Sequence, residues 1–456
     1  MDTPTASQID TDFLGLDEHT ILELEVFESK DGASLFQFCN LTRTKGGESV
    51  LKRRMQRPWA SASRIRETQC SIAYIIENRE LFEKLDPGSL GFVTGSIDTY
   101  LHAPLPTIVH DNFIEFAYGA IWLYASDAYH VSMISRGVLL MHKLITALRC
   151  FLGQPGLASP VGELAPLLEE ARTLLLNGPL SEVRQEKPGM GLGKLWRVLR
   201  QDQLFRVRQA DKVSRLLSLV YEIDALIAMA DCTKKHNFII PTVDEGAMRV
   251  HAEGLVHPYI QDAVANPVEL DQRRRGLFLT GPNMAGKTTY LRAFATALYL
   301  AHLGMGVPAS RYCFVPVEQL ISSISISDNL HSGVSYFRAE ALRVKDVADA
   351  IMRGYRVVAI MDEPFKGTNV KDTLEASLEI LTRFSAMSNL LFMFSSHQIE
   401  LAEQLQEPMD FRCFAATETE ARLRFDYRLR PGVSTQRIGM RVLREEGVFH
   451  LLDNNK

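Results

Sequence analysis

Four residues in the stretch "GLFLTGPNMAGKTTYLRAF" (276–294) carry a recognisable spacing: Gly281, Gly286, Lys287 and Thr288 satisfy G-x-x-x-x-G-K-[ST]. An apolar run precedes them and a helical pattern follows, which is the context this loop needs. Glycines let the backbone curl so that several N–H groups point at one phosphate chain, and the following helix N-terminus adds partial positive charge. Lys287 reaches the terminal phosphates, and the Thr288 hydroxyl suits a Mg²⁺ ion. The expected cradle for a nucleoside triphosphate is Gly281, Pro282, Asn283, Met284, Ala285, Gly286, Lys287, Thr288 and Thr289. A second glycine-rich segment, "KPGMGLGKL" (187–195), has neither the spacing nor a preceding strand and reads as a loop between helices.

The loop alone does not choose a reaction. "RVVAIMDEP" (356–364) narrows it, because a buried parallel strand ending in Asp362 and Glu363 places two carboxylates at a sheet edge. Asp362 is expected to join Thr288 at the metal, and Glu363 to polarise water for attack on the γ-phosphate. That pairing favours hydrolysis over transfer to a small acceptor. After the apolar run of "LLFMFSSHQIE", His397 is expected to sense the γ-phosphate or the water.

These groups need elements to hold them. The apolar share of 46% and charged share of 23% fit a globular protein with room for more than one core. Residues 1–12 read as a disordered tail, with no signal sequence. Residues 13–235 are dominated by 3.6-residue periodicity and predict an all-helical domain. From 236 to 456 short β-rich runs alternate with helical segments, predicting an α/β domain, with a hairpin over 411–432 closing it. The most membrane-like stretch, 113–135, carries Glu115, Asp127 and His130 and reads as a packed helix. Six scattered cysteines without a C-x-x-C pair argue against zinc and for a reducing, cytoplasmic setting.

Taken together, the motifs resemble one family, the MutS proteins, ABC-type ATPases of DNA mismatch repair. "TGPNMAGKT" is similar to the family's T-G-P-N-M-x-G-K-[ST], "DEPFKGT" (Asp362–Thr368) to its D-E-x-x-[RK]-G-T, and "SSH" to its [ST]-H switch. "SDNLHSGVSYFRAE" (327–340) looks like the segment whose serine, here Ser335, caps the γ-phosphate bound by the opposite subunit. "GGESVLKRRMQRP" looks like the start of the family's helical lever domain. The resemblance implies a helical lever module followed by an ABC-type P-loop NTPase domain, ATP and Mg²⁺ as ligands, and a homodimer with two shared sites. In it, Asn283 and His397 would sense the γ-phosphate and Glu363 would activate water. Departures from the family pattern are Ala263 at an aromatic adenine-stacking position, "SISIS" (323–327), and Pro364-Phe365 in place of Leu-Gly. No mismatch-reading or connector segment precedes the lever, the clamp looks reduced or absent, and the chain ends before the family's C-terminal dimerisation helices. This predicts a short form that does not itself read mismatches.

DNA is the expected partner by kinship, as repair-protein partners would be. With a net charge of only −5, any DNA surface must be local. Residues 184–215 hold nine Lys/Arg against three Asp/Glu, nominating Lys194, Arg197, Arg200, Arg206 and Arg208 for phosphate contact. Lys52, Arg53, Arg54 and Arg57 are expected instead to pair with acids of the ATPase domain. The competing reading is a nucleotide-gated scaffold whose partner is protein.

Overall fold

The computed structural model describes residues 12–453, apart from 30–31, 86–89, 110–111, 127, 158, 177, 179, 182, 184–191, 325–335, 406–408, 419–422 and 437–438. The chain divides into two compact units. One comprises the residues up to Phe38, Arg57–Arg66, and Thr233 onward. The other comprises Cys39–Gln56 and Glu67–Cys232.

The first unit is α/β. Its strands in the described residues are β1 (Thr242–Val243), β2 (Val250–Leu255), β3 (Asn266–Leu270), β4 (Gly276–Thr280), β5 (Arg311–Phe314), β6 (Gln319–Ser323), β7 (Val357–Asp362), β8 (Leu390–Ser395), β9 (Met409–Cys413), β10 (Ala416–Glu418), β11 (Leu423–Phe425) and β12 (Arg430–Pro431). The main sheet runs β12-β9-β4-β8-β7-β6 and is parallel throughout except for β12. β4 and β8 are buried at every position, and β7 at all but its terminal Asp362, because helices cover both sheet faces. Phe278, Phe392, Phe394, Leu381 and Phe384 form the core between this sheet and helix Val370–Ala386. β1, β5, β2 and β3 make a second sheet, and β3 leads directly into β4.

The expected hairpin over 411–432 is smaller than the sequence suggests. Only β10 and β11 pair as a hairpin, while β9 belongs to the main sheet and β12 lies antiparallel on its outer side.

The expected domain limits also shift. Residues 12–38 and 57–66, assigned above to the helical domain, pack on the α/β unit. Gly15 N donates to Glu318 O (2.8 Å) and Leu320 N to Gly15 O (3.2 Å), so the early chain laces the exposed side of edge strand β6. Glu23, buried, accepts from Ser322 Oγ and from Ile324 N (2.8 Å). Arg343 ties Asp17 (2.8 Å) and the Ser322 carbonyl (2.6 Å) together. An open edge offers unpaired N–H and C=O groups to other chains, and this lacing removes that hazard. The tail beyond Asp12 lies outside the described residues.

The second unit is helical. Helix Lys45–Gln56 packs on helix Ala210–Lys235, and its two leading glycines explain how closely. A Cβ at Gly46 would lie 2.3 Å from the Tyr221 ring, and one at Gly47 2.2 Å from Asp224 Oδ2. Buried Asp224 accepts from Arg43 N (3.1 Å), Thr44 N (2.9 Å) and Thr44 Oγ1 (2.7 Å), while Thr44 Oγ1 accepts from Gly47 N (2.9 Å) as an N-cap. The "GG" of the lever-like motif is therefore a helix-crossing point. Arg53 and Arg54 do not pair with acids of the α/β unit as expected. Arg53 meets Glu222 (2.5 Å), and Arg54 meets Glu163 (2.8 Å) and Glu222 (3.0 Å), all in the helical unit. Arg57, in the α/β unit, stacks over Phe13 at 4.0 Å. Among the described residues one helix, Ala128–Leu152, is long and apolar enough to cross a bilayer, and half of its most apolar window is buried as in a core helix.

Candidate active site

The loop after β4 turns on two left-handed glycines, Gly281 (φ 146°) and Gly286 (φ 102°). Side chains would also collide there: a Cβ at Gly281 would lie 2.7 Å from the Phe414 carbonyl and one at Gly286 3.2 Å from the Tyr427 ring. Only glycine satisfies both limits. Helix Lys287–His302 starts at once and is buried along most of its length, so the loop is braced from below.

Lys287 is buried, and its ammonium group donates to Gly281 O (2.8 Å) and sits 3.4 Å from Glu363 Oε1 and 3.5 Å from His397 Nε2. Burial lowers its pKa, opposed by the charges of Glu363 and Asp362. Thr288 Oγ1 donates to Asp362 Oδ2 at 2.5 Å, and Ser395 Oγ donates to the other Asp362 oxygen. Thr288 and Asp362 thus present two hard oxygens side by side at the loop. Such a pair fits Mg²⁺, which keeps several waters and takes further oxygens from phosphate. Among the described residues no cluster of three His, Cys, Asp or Glu could hold a metal by itself.

Glu363 is the most constrained group. His397 Nε2 lies 2.6 Å from its Oε1 and Lys366 Nζ 2.7 Å from its Oε2. Partial burial pushes its pKa up, but the hydrogen bonds from His397 and Lys366 and the charge of Lys287 outweigh this and hold it at about 2. Its backbone is strained, with φ 49°, and so is that of Phe365, with φ 68°. The strain is held by contacts that sequence reasoning missed. Glu363 N donates to Ser395 O (3.1 Å), and Thr373 Oγ1 to Phe365 O (2.8 Å). The buried Phe365 ring packs on Phe337 of helix Tyr336–Met352, with centroids 5.6 Å apart. Glu340, on the same helix and also buried, accepts from the backbone of Lys366, Phe365 and Gly367; burial raises its pKa to about 7 against those bonds.

Beside the loop lies a cavity of about 560 Å³, bounded by His257, Ile260, Ala263, Phe414 and Tyr427 as well as Lys287 and Thr288. Tyr427 brings an aromatic ring to this lining, which Ala263 does not. Asn266 places it: its Nδ2 donates to Tyr427 O (2.9 Å) and its Oδ1 accepts from Leu429 N (2.7 Å). Burial and Arg292 lower the His257 pKa to about 4.

This geometry agrees with comparisons to known proteins. The family model described as MutS domain V matches residues 277–451. A curated DNA mismatch repair protein MutS from Natronomonas pharaonis is 29% identical over 245 residues. Residues 277–451 are thus similar to the fifth domain of MutS proteins. The match to that MutS covers 52% of this chain and 28% of the relative's length.

Of the site residues expected for a MutS protein, Gly281, Gly286, Lys287, Thr288, Asp362, Glu363 and His397 converge. Asn283 and Met284 are exposed at the loop's crest, while Pro282 and Ala285 are buried beneath it. Ser335 lies outside the described residues, as does the Lys194 side chain. The basic residues nominated for DNA are mixed in placement. Arg206 is half-buried, paired with Asp202 (3.5 Å) and donating to Leu105 O (2.9 Å), so it is engaged within the helical unit. Arg200 stacks on Phe116 at 3.8 Å. Arg197 and Arg208 are exposed.

Proposed function

We propose that the α/β unit hydrolyses ATP with Mg²⁺ and that the chain uses this hydrolysis to switch a dimer on DNA. The observation carrying the reading is the meeting of Thr288 with Asp362 beside a Glu363 held by Lys287, Lys366 and His397 at one glycine loop. Mg²⁺, held by Thr288 and Asp362, would neutralise charge developing between the terminal phosphates. Lys287 and the loop amides bind the phosphates, and Tyr427 stacks on the base. Glu363 accepts a proton from the attacking water. Its pKa of about 2 makes it a poor base as it stands. When Lys287 and His397 turn toward phosphate oxygens, Glu363 loses partners that stabilise its charge and becomes more basic. Base strength is thereby coupled to triphosphate binding. Ser335 would complete the partner's site, as the family resemblance implies, so ATP closes a homodimer and hydrolysis opens it.

DNA contact falls to exposed residues such as Arg197 and Arg208 and is sequence-independent. The test is the ATPase rate of the purified chain with perfect, mismatched and branched duplexes over a salt series. Stimulation that fades with salt supports a DNA-acting ATPase. A rate indifferent to every duplex supports the protein-scaffold reading, which the internal pairing of Arg206 favours.

A further inference from the structure

Helix Phe113–Ser126, in the helical unit, is apolar on every side, with Glu115 its single formal charge. Phe116, Ala120 and Leu123 face inward, with Phe116 against Trp196 at a centroid distance of 4.7 Å. The rest of the helix is uncovered: Phe113, Ile114, Tyr118, Ile121, Trp122 and Tyr124 are each between 59% and 75% exposed. A helix hydrophobic all round belongs in an interior, and a contiguous patch of this kind marks an interaction surface.

Three observations identify the occupant. The six side chains together present roughly 900 Å² of mainly apolar area, about what each partner contributes to a stable protein–protein interface. The same surface holds both relief and recess. Tyr118 and Trp122 stand beside a groove of about 500 Å³ that runs past Pro106, Ile108 and Val109 to a floor at Gly119. A two-fold contact requires such self-complementarity, each copy's ridge filling the other's groove. The strip carries one formal charge, Glu115 at the groove, so like-charge repulsion between two identical copies is confined to that residue. A nucleic-acid strand would need cations along the aromatic residues; this helix has none, and the neighbouring Arg200 is taken up in stacking on Phe116 and Trp196. We infer that helix Phe113–Ser126 is a homodimer interface, in which two copies of the chain pair through this helix without nucleotide.

The experiment uses the full chain, free of nucleotide and DNA, at ~10 µM, high enough to populate a micromolar dimer. Light scattering after size exclusion should give twice the 51.3 kDa of one chain. Lys287→Ala should give the same dimer, separating this contact from ATP-driven association. The double variant Tyr118→Glu/Trp122→Glu should give a single chain with an unchanged helical circular-dichroism spectrum. A photo-crosslinking residue at position 118 should join peptides 113–126 of two copies, which keeps the test decisive if the double variant fails to fold. A monomeric wild type, a dimer abolished by Lys287→Ala, or a crosslink directed elsewhere would overturn the inference. So would an oligonucleotide that shields Trp122 in a monomeric chain.

Discussion

Replacing Glu363 by glutamine keeps the side chain's shape and removes its charge, and the structure predicts opposite effects on binding and turnover. Glu363 lies 3.4 Å from the Lys287 ammonium group that must serve the phosphates, with His397 and Lys366 at 2.6 and 2.7 Å. A carboxylate charge and a phosphate charge ~5 Å apart, at an effective dielectric of ~20, repel by about 3 kcal/mol. The neighbouring cations screen roughly half of that. Glu363→Gln is therefore expected to tighten ATP binding by about 1.5 kcal/mol, roughly tenfold. Loss of the base should lower turnover by about 10²–10⁴. Equilibrium titration with a fluorescent ATP analogue measures the first effect, and phosphate release under saturating ATP the second. Turnover within about threefold of wild type, a small part of what a base supplies, would remove Glu363 from the base role. Binding weakened by tenfold or more, about 1.4 kcal/mol, would show that the cations need the glutamate more than they compete with it.

Asp362→Asn should raise the Mg²⁺ concentration that half-saturates hydrolysis by at least about tenfold, since one of two oxygen ligands loses its charge; an unchanged Mg²⁺ titration would place the metal elsewhere. Tyr427→Ala should raise KM for ATP about tenfold and leave kcat within about twofold, because base stacking of roughly 1–3 kcal/mol is spent on binding; an equal fall in kcat would mean that the ring acts on the chemistry instead. Phe337→Ala should do the reverse, lowering kcat with little change in KM, as the 363–367 turn loses the ring that holds Phe365 at positive φ; unaltered kcat would free the turn from that support. The Glu363 carboxyl, held at about 2 against an ordinary 4.5, stabilises the fold above pH 4.5 by about 1–2 kcal/mol after solvent screening, and this is lost as pH falls toward 2. Urea denaturation of wild type and Glu363→Gln at pH 6, 4 and 3 should therefore show the wild-type advantage shrinking only at acid pH, and a constant difference would contradict it.

Much of the candidate site was legible because its signals are local. Gly281 to Thr288 is one turn with a fixed spacing, and Asp362, Glu363 and His397 each end an apolar strand. Tyr427 was not legible, because its backbone is held at the loop by Asn266, 161 residues away, and it carries no pattern of its own. The Phe337–Phe365 contact was hidden for the same reason: a phenylalanine at a left-handed position where the family has glycine looks like a defect until its ring is seen buried. Periodicity identified the helices of residues 13–235 but not their allegiance. Gly15 and Glu23 bond to β6, some 300 positions on, through hydrogen bonds that leave no trace in helical period. Charges behaved likewise. Arg53, Arg54 and Arg206 look alike on a helical wheel, yet the first two close a bridge to Glu222 and Glu163 and the third pairs with buried Asp202.

The most direct test is phosphate release from ATP by the purified wild-type chain, with Mg²⁺ and then with excess EDTA. The account predicts steady inorganic phosphate with the metal and none without it. No release with Mg²⁺, or release unaffected by EDTA, would contradict a site in which Thr288 and Asp362 hold the metal and water is the acceptor.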